Sequence, residues 1–141
     1  MRLRLAALLV SPVALMLLAG CGGDPASAAA PSDGAACEHH AATSPLVRHE
    51  ADVYAGMPVP PVRVALALAT TWEFYLHPGA VDPDLRAAMA EVAAAIGDLD
   101  AQGRAAVAPG ATLMDPVRLD PSRTLTAVDA VDRACAGALT R

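Results

Sequence analysis

The chain is 141 residues long, with 10 basic residues, all arginine, against 15 acidic ones and a formal net charge of −5. That sign argues against nucleic acid, whose phosphates must be neutralised by basic groups, and against polybasic attachment to anionic lipid headgroups. The composition is alanine-rich and only 3% aromatic, so few large side chains are available to build a core.

The N-terminus runs basic, apolar, then small: Arg2 and Arg4 precede an apolar stretch from Leu5 to Leu18, followed by Ala19, Gly20 and Cys21. Its 14 residues fall short of the ~20 that a helix needs to span hydrocarbon, and Pro12 interrupts them, so the stretch reads as a leader and not as a transmembrane anchor. Leu18-Ala19-Gly20-Cys21 resembles the lipobox of bacterial lipoproteins. The resemblance implies that residues 1–20 are a signal peptide, that the Cys21 sulfur takes a diacylglyceryl group, and that the mature chain starts at Cys21 outside the cytoplasm, held to the cell membrane by its acyl chains. Two or more such chains anchor stably, each buried CH₂ contributing about 0.8 kcal/mol. Without Arg2 and Arg4 the mature chain has eight basic residues against 15 acidic ones, a net charge of −7, so lipid and not the domain surface must do the anchoring.

Lipidation of Cys21 leaves Cys37 and Cys135 as the one pair among the three cysteines. Oxidation is permitted outside the cytoplasm, and a bridge closing most of the mature chain is worth roughly 2 to 4 kcal/mol. Residues 22–36 are small, with two prolines and nothing large enough to build a core. Residues 21–36 therefore read as the lipidated cysteine and a flexible tether, holding a domain over residues 37–141 on the order of 20 Å from the membrane.

Within that domain Ser44-Pro45, Asp82-Pro83 and Asp120-Pro121 each place a capping side chain before a proline at the first helical position. The first opens a weak helix from Pro45 to about Gly56, with only a partial stripe of Leu46, Val47, Val53 and Tyr54. A helix from Val62 to His77 gathers Val64, Ala65, Leu68, Trp72, Tyr75 and Leu76 on one side, and its additional Leu66 and Phe74 suggest a central position. After Asp82, the residues Leu85, Ala88, Met89, Val92, Ala95, Ile96 and Leu99 form the strongest stripe in the chain. Residues 102–119 carry two glycines and two prolines and read as a long connection. The last helix aligns Leu125, Val128, Val131, Cys135, Ala138 and Leu139, which points Cys135 inward. The fold class is all-α: a small antiparallel bundle of three to four helices, tied by one disulfide between Cys37 and Cys135.

Catalytic signatures are missing from the sequence: it has no glycine-rich phosphate loop, no Gly-x-Ser-x-Gly, no paired zinc-ligand cysteines and no His-Glu-x-x-His. Glu73 and His77, four apart on one helix, fit an ordinary surface charge pair better than an acid/base couple. His39, His40, His49 and Glu50 supply imidazole and carboxylate within a short span, the ligands zinc or copper would take; the alternative is a solvated polar edge. Trp72, Phe74 and Tyr75 hold three of the four aromatic residues and would line either a ligand pocket or the core. The tether, the cysteine pair and the helices are together similar to small helical lipoproteins of high-GC bacteria, a likeness that carries no catalytic residues. The expected role is non-enzymatic, binding an envelope partner without a resident cofactor, with an exposed apolar patch near Phe74 or the 102–119 connection as its sign. Small-ligand or metal binding is the alternative, and an enzyme of undefined class the third.

Overall fold

The structure is a computed structural model and describes residues 31–138; the expected signal peptide, Cys21, most of the tether and Leu139 lie outside the described residues. Four helices follow one another: α1 (Asp33–Gly56), α2 (Val62–Leu76), α3 (Pro83–Ala105) and α4 (Ser122–Ala138). Cross-contacts make each consecutive pair antiparallel. Arg63 meets Glu50 while Phe74 meets His39 between α1 and α2, and Thr124 and Arg123 reach back to Ala95 and Glu91 of α3. The result is the all-α antiparallel bundle expected, with Cys37 and Cys135 bridged and their Cα atoms 5.6 Å apart. Among the described residues no helix is long and apolar enough to cross a membrane.

The first helix starts earlier than its sequence pattern suggests. Ser32 Oγ accepts from the Ala35 amide at 3.2 Å, and Asp33 places a negative charge at the positive end of the helix. Residues 33–36, assigned from sequence to the tether, form the opening turn, and Pro45 lies inside the helix instead of starting one. The buried stripe of α1 runs Cys37, His40, Ser44, Val47, Ala51 and Tyr54 at three- and four-residue steps, with Ala36 beside its start. Its polar members His40 and Ser44, and Glu50 buried beside it, interrupt its apolar character. Pro45 forfeits one backbone hydrogen bond, but its ring faces solvent and the stripe continues beneath it.

The other starts follow the expected chemistry. Asp82 accepts from the amides of Asp84 and Leu85 at 2.8 and 3.0 Å, and Pro83 opens α3. Of the α3 stripe, Leu85, Met89, Val92, Ala95, Ile96 and Leu99 are buried. The helix runs past Leu99 to Ala105, taking residues 102–105 out of the expected connection. Gly103 eases this close passage, because a Cβ there would lie 3.0 Å from Pro61 Cβ, tighter than an ordinary contact. The remaining connection is pinned by paired 2.9 Å hydrogen bonds between Val59 and Val117 and by the Val62 amide on the Leu113 carbonyl.

Helix α2 corrects two expectations. Val64, Leu68 and Tyr75 are buried as predicted, joined by Thr71, but Leu66 is 76% exposed and Leu76 is 50% exposed. Helix α1 packs chiefly on α4 and only lightly on α2, so α2 is not central and a second apolar face stays at the surface. All four helices contribute to one buried core, with Val47 and Tyr54 of α1, Leu68 of α2, Leu85, Met89 and Ile96 of α3 and Val128 of α4.

The bundle has two distinct ends. At one end the chain enters α1: Asp33 Oδ1 accepts from the amides of Val81 and Asp82 at 2.8 and 2.9 Å, and Gly79, at φ +66°, lies against Pro31. The α2–α3 turn is therefore fastened to the point where the preceding chain joins the fold. The other end, across the 24 residues of α1 and thus about 36 Å away at 1.5 Å per residue, holds Met57, the Val59–Val117 pair and the Leu113–Met114 loop.

Candidate functional site

Polar groups concentrate along the seam between α1 and α4, in rungs that follow the antiparallel register. The first is the Cys37–Cys135 disulfide. One turn inward on both helices, His40 Nε2 lies 2.8 Å from Asp132 Oδ1. Next, the Arg48 guanidinium meets Asp132 Oδ2 at 2.6 Å and Asp129 Oδ1 at 2.7 Å. His40 is 2% exposed and its other ring nitrogen, Nδ1, lies 2.7 Å from the Tyr75 hydroxyl.

The donors and acceptors of this chain are mutually consistent. An ionised Asp132 only accepts, so Nε2–H donates to it, which leaves Nδ1 to pair with the Tyr75 hydroxyl. Burial pushes the Asp132 carboxyl up, but hydrogen bonds from His40 and Arg48 outweigh that and hold it below the usual carboxylate range. Burial also raises the Tyr75 phenol. Buried polar groups are tolerable when every member is paired, and here a histidine, a tyrosine and a carboxylate close on one another. Asp132 and Arg48 are partly solvated, so the Arg48 rung adds less than its short distances suggest.

A second polar knot fixes the other end of α1. Glu50, buried, accepts from Arg63 Nε and Nη2 at 2.9 Å each, and these bonds, working against burial, hold its carboxyl low. Tyr54 sits beside it with its hydroxyl buried and without a partner in hydrogen-bonding geometry among the described residues; burial first, and the Glu50 carboxylate second, push that phenol up.

These placements separate the residues singled out as metal ligands. His40 turns inward to Tyr75 and Asp132, and Glu50 is engaged by Arg63. His39 stacks on Phe74 with ring centroids 3.9 Å apart, and His49 is exposed. No group of three or more histidine, cysteine or acidic side chains converges as a metal site among the described residues. The aromatic trio is divided too. Tyr75 is core, Trp72 rests on Gly97 of α3, and Phe74 joins His39 in a surface groove of about 470 Å³ between α1 and α2, rimmed by Pro31, Glu73, His77 and Pro78. Glu73 and His77, 3.7 Å apart and both well exposed, form a surface pair on that rim.

A more apolar groove, of about 420 Å³, lies at the opposite end of the bundle, lined by Pro60, Val62, Arg63, Leu66, Ala67 and Met114. Leu66 and Met114 are 76% and 66% exposed, so two large apolar side chains stand together in solvent. The sequence indicated the connection that supplies Met114 but not Leu66, which reads as core. Asp132 and Arg48 were also missed. Their signal was present in the register: once Cys37 pairs with Cys135 on antiparallel helices, three residues forward on α1 must face three residues back on α4, which pairs position 40 with position 132.

Comparisons of the chain with family models, with curated proteins and with solved structures find no match.

Proposed function

We propose that this chain is a lipoprotein, anchored outside the cytoplasm through acyl chains on Cys21, whose helical domain binds a partner protein without catalysing a reaction. The lipobox-like Leu18-Ala19-Gly20-Cys21 supports the anchor, and the Leu66–Met114 groove carries the binding role. Exposed large apolar side chains that adjoin across two elements are the mark of a surface that is covered in use. This groove also lies at the end of the bundle away from residue 31, where the tether joins, and so is the end farther from the anchor. Its fitting occupant is a short apolar segment of another envelope protein, because Arg63 at the rim already has its charge met by Glu50 and the remaining lining is uncharged. The polar ladder between α1 and α4 serves to hold the helix that carries the tether.

A photo-crosslinking residue at Leu66, in the full chain expressed in its own cells, tests this reading. One discrete adduct that disappears when Met114→Asp is added supports it. An adduct of twice the chain mass would instead identify a second copy as the occupant, and no adduct from Leu66 would refute the role of the groove.

A second reading has its own observation. The groove floored by the stacked His39 and Phe74 rings could take a flat aromatic or sugar-like ligand, and protection of Phe74 from solvent on adding such compounds would favour it.

A further inference from the structure

We propose that the α2–α3 turn, with Leu76 and Val81 at its tips, is the face of this domain that touches the membrane, inserting into the uncharged outer layer of the lipid. The proposal rests on the lipoprotein reading and adds an orientation and a contact to it.

Position is the first argument. Ser32 caps α1 beside this turn, and 11 peptide steps separate it from Cys21, at most about 40 Å even when fully extended. The turn cannot swing away from that point, because Asp33 of α1 holds the amides of Val81 and Asp82 and Gly79 lies against Pro31. Of the two ends of the bundle, this turn is therefore the nearer to a lipid on Cys21, and the Leu66–Met114 groove is the farther one.

The turn is also prepared for such a contact. Leu76 is 50% exposed and Val81 57%, so both present apolar side chains to solvent. Part of its backbone is satisfied within the protein. Besides the two amides taken by Asp33, the carbonyls of Ala80 and Val81 accept from Arg86 at 3.1 and 2.8 Å, and the His77 amide is bonded back to Glu73 and Phe74. Backbone groups that leave water must be paired within the protein, and in this turn side chains of α1 and α3 do the pairing. The charge near the turn favours an uncharged surface over an anionic one, since Asp33, Asp82 and Asp84 outnumber Arg86 there.

Two apolar side chains are too few to bind a membrane unaided, so the contact depends on the high effective concentration that the anchor supplies. The test is methyl NMR on the chain starting at Cys21, coupled through that thiol to a maleimide lipid in phosphatidylcholine nanodiscs containing spin-labelled lipid. The artificial anchor separates this question from whether cells lipidate the chain, which the mass of the protein extracted from native membranes decides independently. The expected result is strong broadening of the Leu76 and Val81 methyl signals and little at Leu66 and Met114. In the Leu76→Asp/Val81→Asp variant, whose changes lie on the surface, the broadening of Ala35 and Ala36 nearby should fall as well, because the turn no longer inserts. The inference is overturned if Leu76 and Val81 broaden no more than Leu66 and Met114, or if Ala35 and Ala36 broaden equally in both proteins, as they would in a domain that is tethered but never touches.

Discussion

Nε2 of His40 lies 2.8 Å from Oδ1 of Asp132, one helical turn inside the Cys37–Cys135 disulfide on the same two helices. The covalent rung and the hydrogen-bonded rung thus secure the same seam, the one through which α1, light in its contacts with α2, is held to the bundle.

Breaking the disulfide should loosen that seam without unfolding the rest. The bridge spans 98 residues, and Cys37→Ser/Cys135→Ser is expected to lower unfolding free energy by about 2 to 4 kcal/mol in urea titration, with helical circular dichroism retained. Hydrogen exchange should rise first in α1. Uniform acceleration across all four helices would show that the seam is not the weak joint.

His40→Ala removes a buried side chain and strands the Tyr75 hydroxyl, for an expected loss of about 2 to 4 kcal/mol. Asp132→Asn should cost less, because Asp132 is half solvated. The double variant should cost less than the sum of the two, and strict additivity in chemical denaturation would mean that the 2.8 Å contact contributes nothing.

Two of the carboxylates held below their usual range lie in the polar knots of α1: Glu50, by its hydrogen bonds from Arg63, and Asp132, where burial is outweighed by hydrogen bonds from His40 and Arg48. Each is ionised in the folded state where the unfolded chain would bind a proton. Their stabilisation is therefore complete above the ordinary carboxylate values of about 4, and is lost as pH falls through the lower native values. Stability measured from pH 6 down to pH 2 should fall, and the fall should be shallower in Glu50→Gln/Asp132→Asn. An unchanged slope in that variant would place the acid sensitivity elsewhere.

Two glycines of α3 should respond oppositely to alanine. At Gly97 a Cβ would meet Trp72 Cζ2 at 3.5 Å, an ordinary contact, so Gly97→Ala should stabilise by up to about 1 kcal/mol through helix propensity. At Gly103 it would meet Pro61 Cβ at 3.0 Å and Cα at 3.3 Å, and a proline backbone in a tight turn cannot give way. Gly103→Ala should destabilise by about 1 to 3 kcal/mol despite the same propensity gain. Thermal melts of the two variants shifting in the same direction would contradict this packing.

The legible parts of the fold were those where one physical signal acted alone. Asp82-Pro83 and the unbroken stripe from Leu85 to Leu99 located α3, and the inward face of α4 put Cys135 where its partner could reach it. The start of α1 was not legible from periodicity, because His40 and Ser44 occupy its buried stripe and Pro45 imitates a helix start. Burial of His40 depends on Tyr75 and Asp132, which are remote in sequence, so the residue resembled a surface ligand beside His39. Leu66 misled in the other direction: its apolar character suggested core, but two residues from both Val64 and Leu68 it lies opposite the buried stripe of α2.

An apolar groove kept for a partner should be dispensable for folding. Leu66→Ser/Met114→Ser is expected to change stability by no more than about 0.5 kcal/mol, since both side chains are largely solvated. A large loss of stability would make the pair part of the fold's own packing.

The claim that this domain works from a lipid anchor is tested most directly by intact mass spectrometry of the protein extracted from the membranes of its own cells. The account predicts a chain beginning at Cys21, heavier by a diacylglyceryl group and lighter by the two hydrogens lost in the Cys37–Cys135 bridge. A chain recovered without lipid, with residues 1–20 still attached or with an unmodified Cys21, would contradict it.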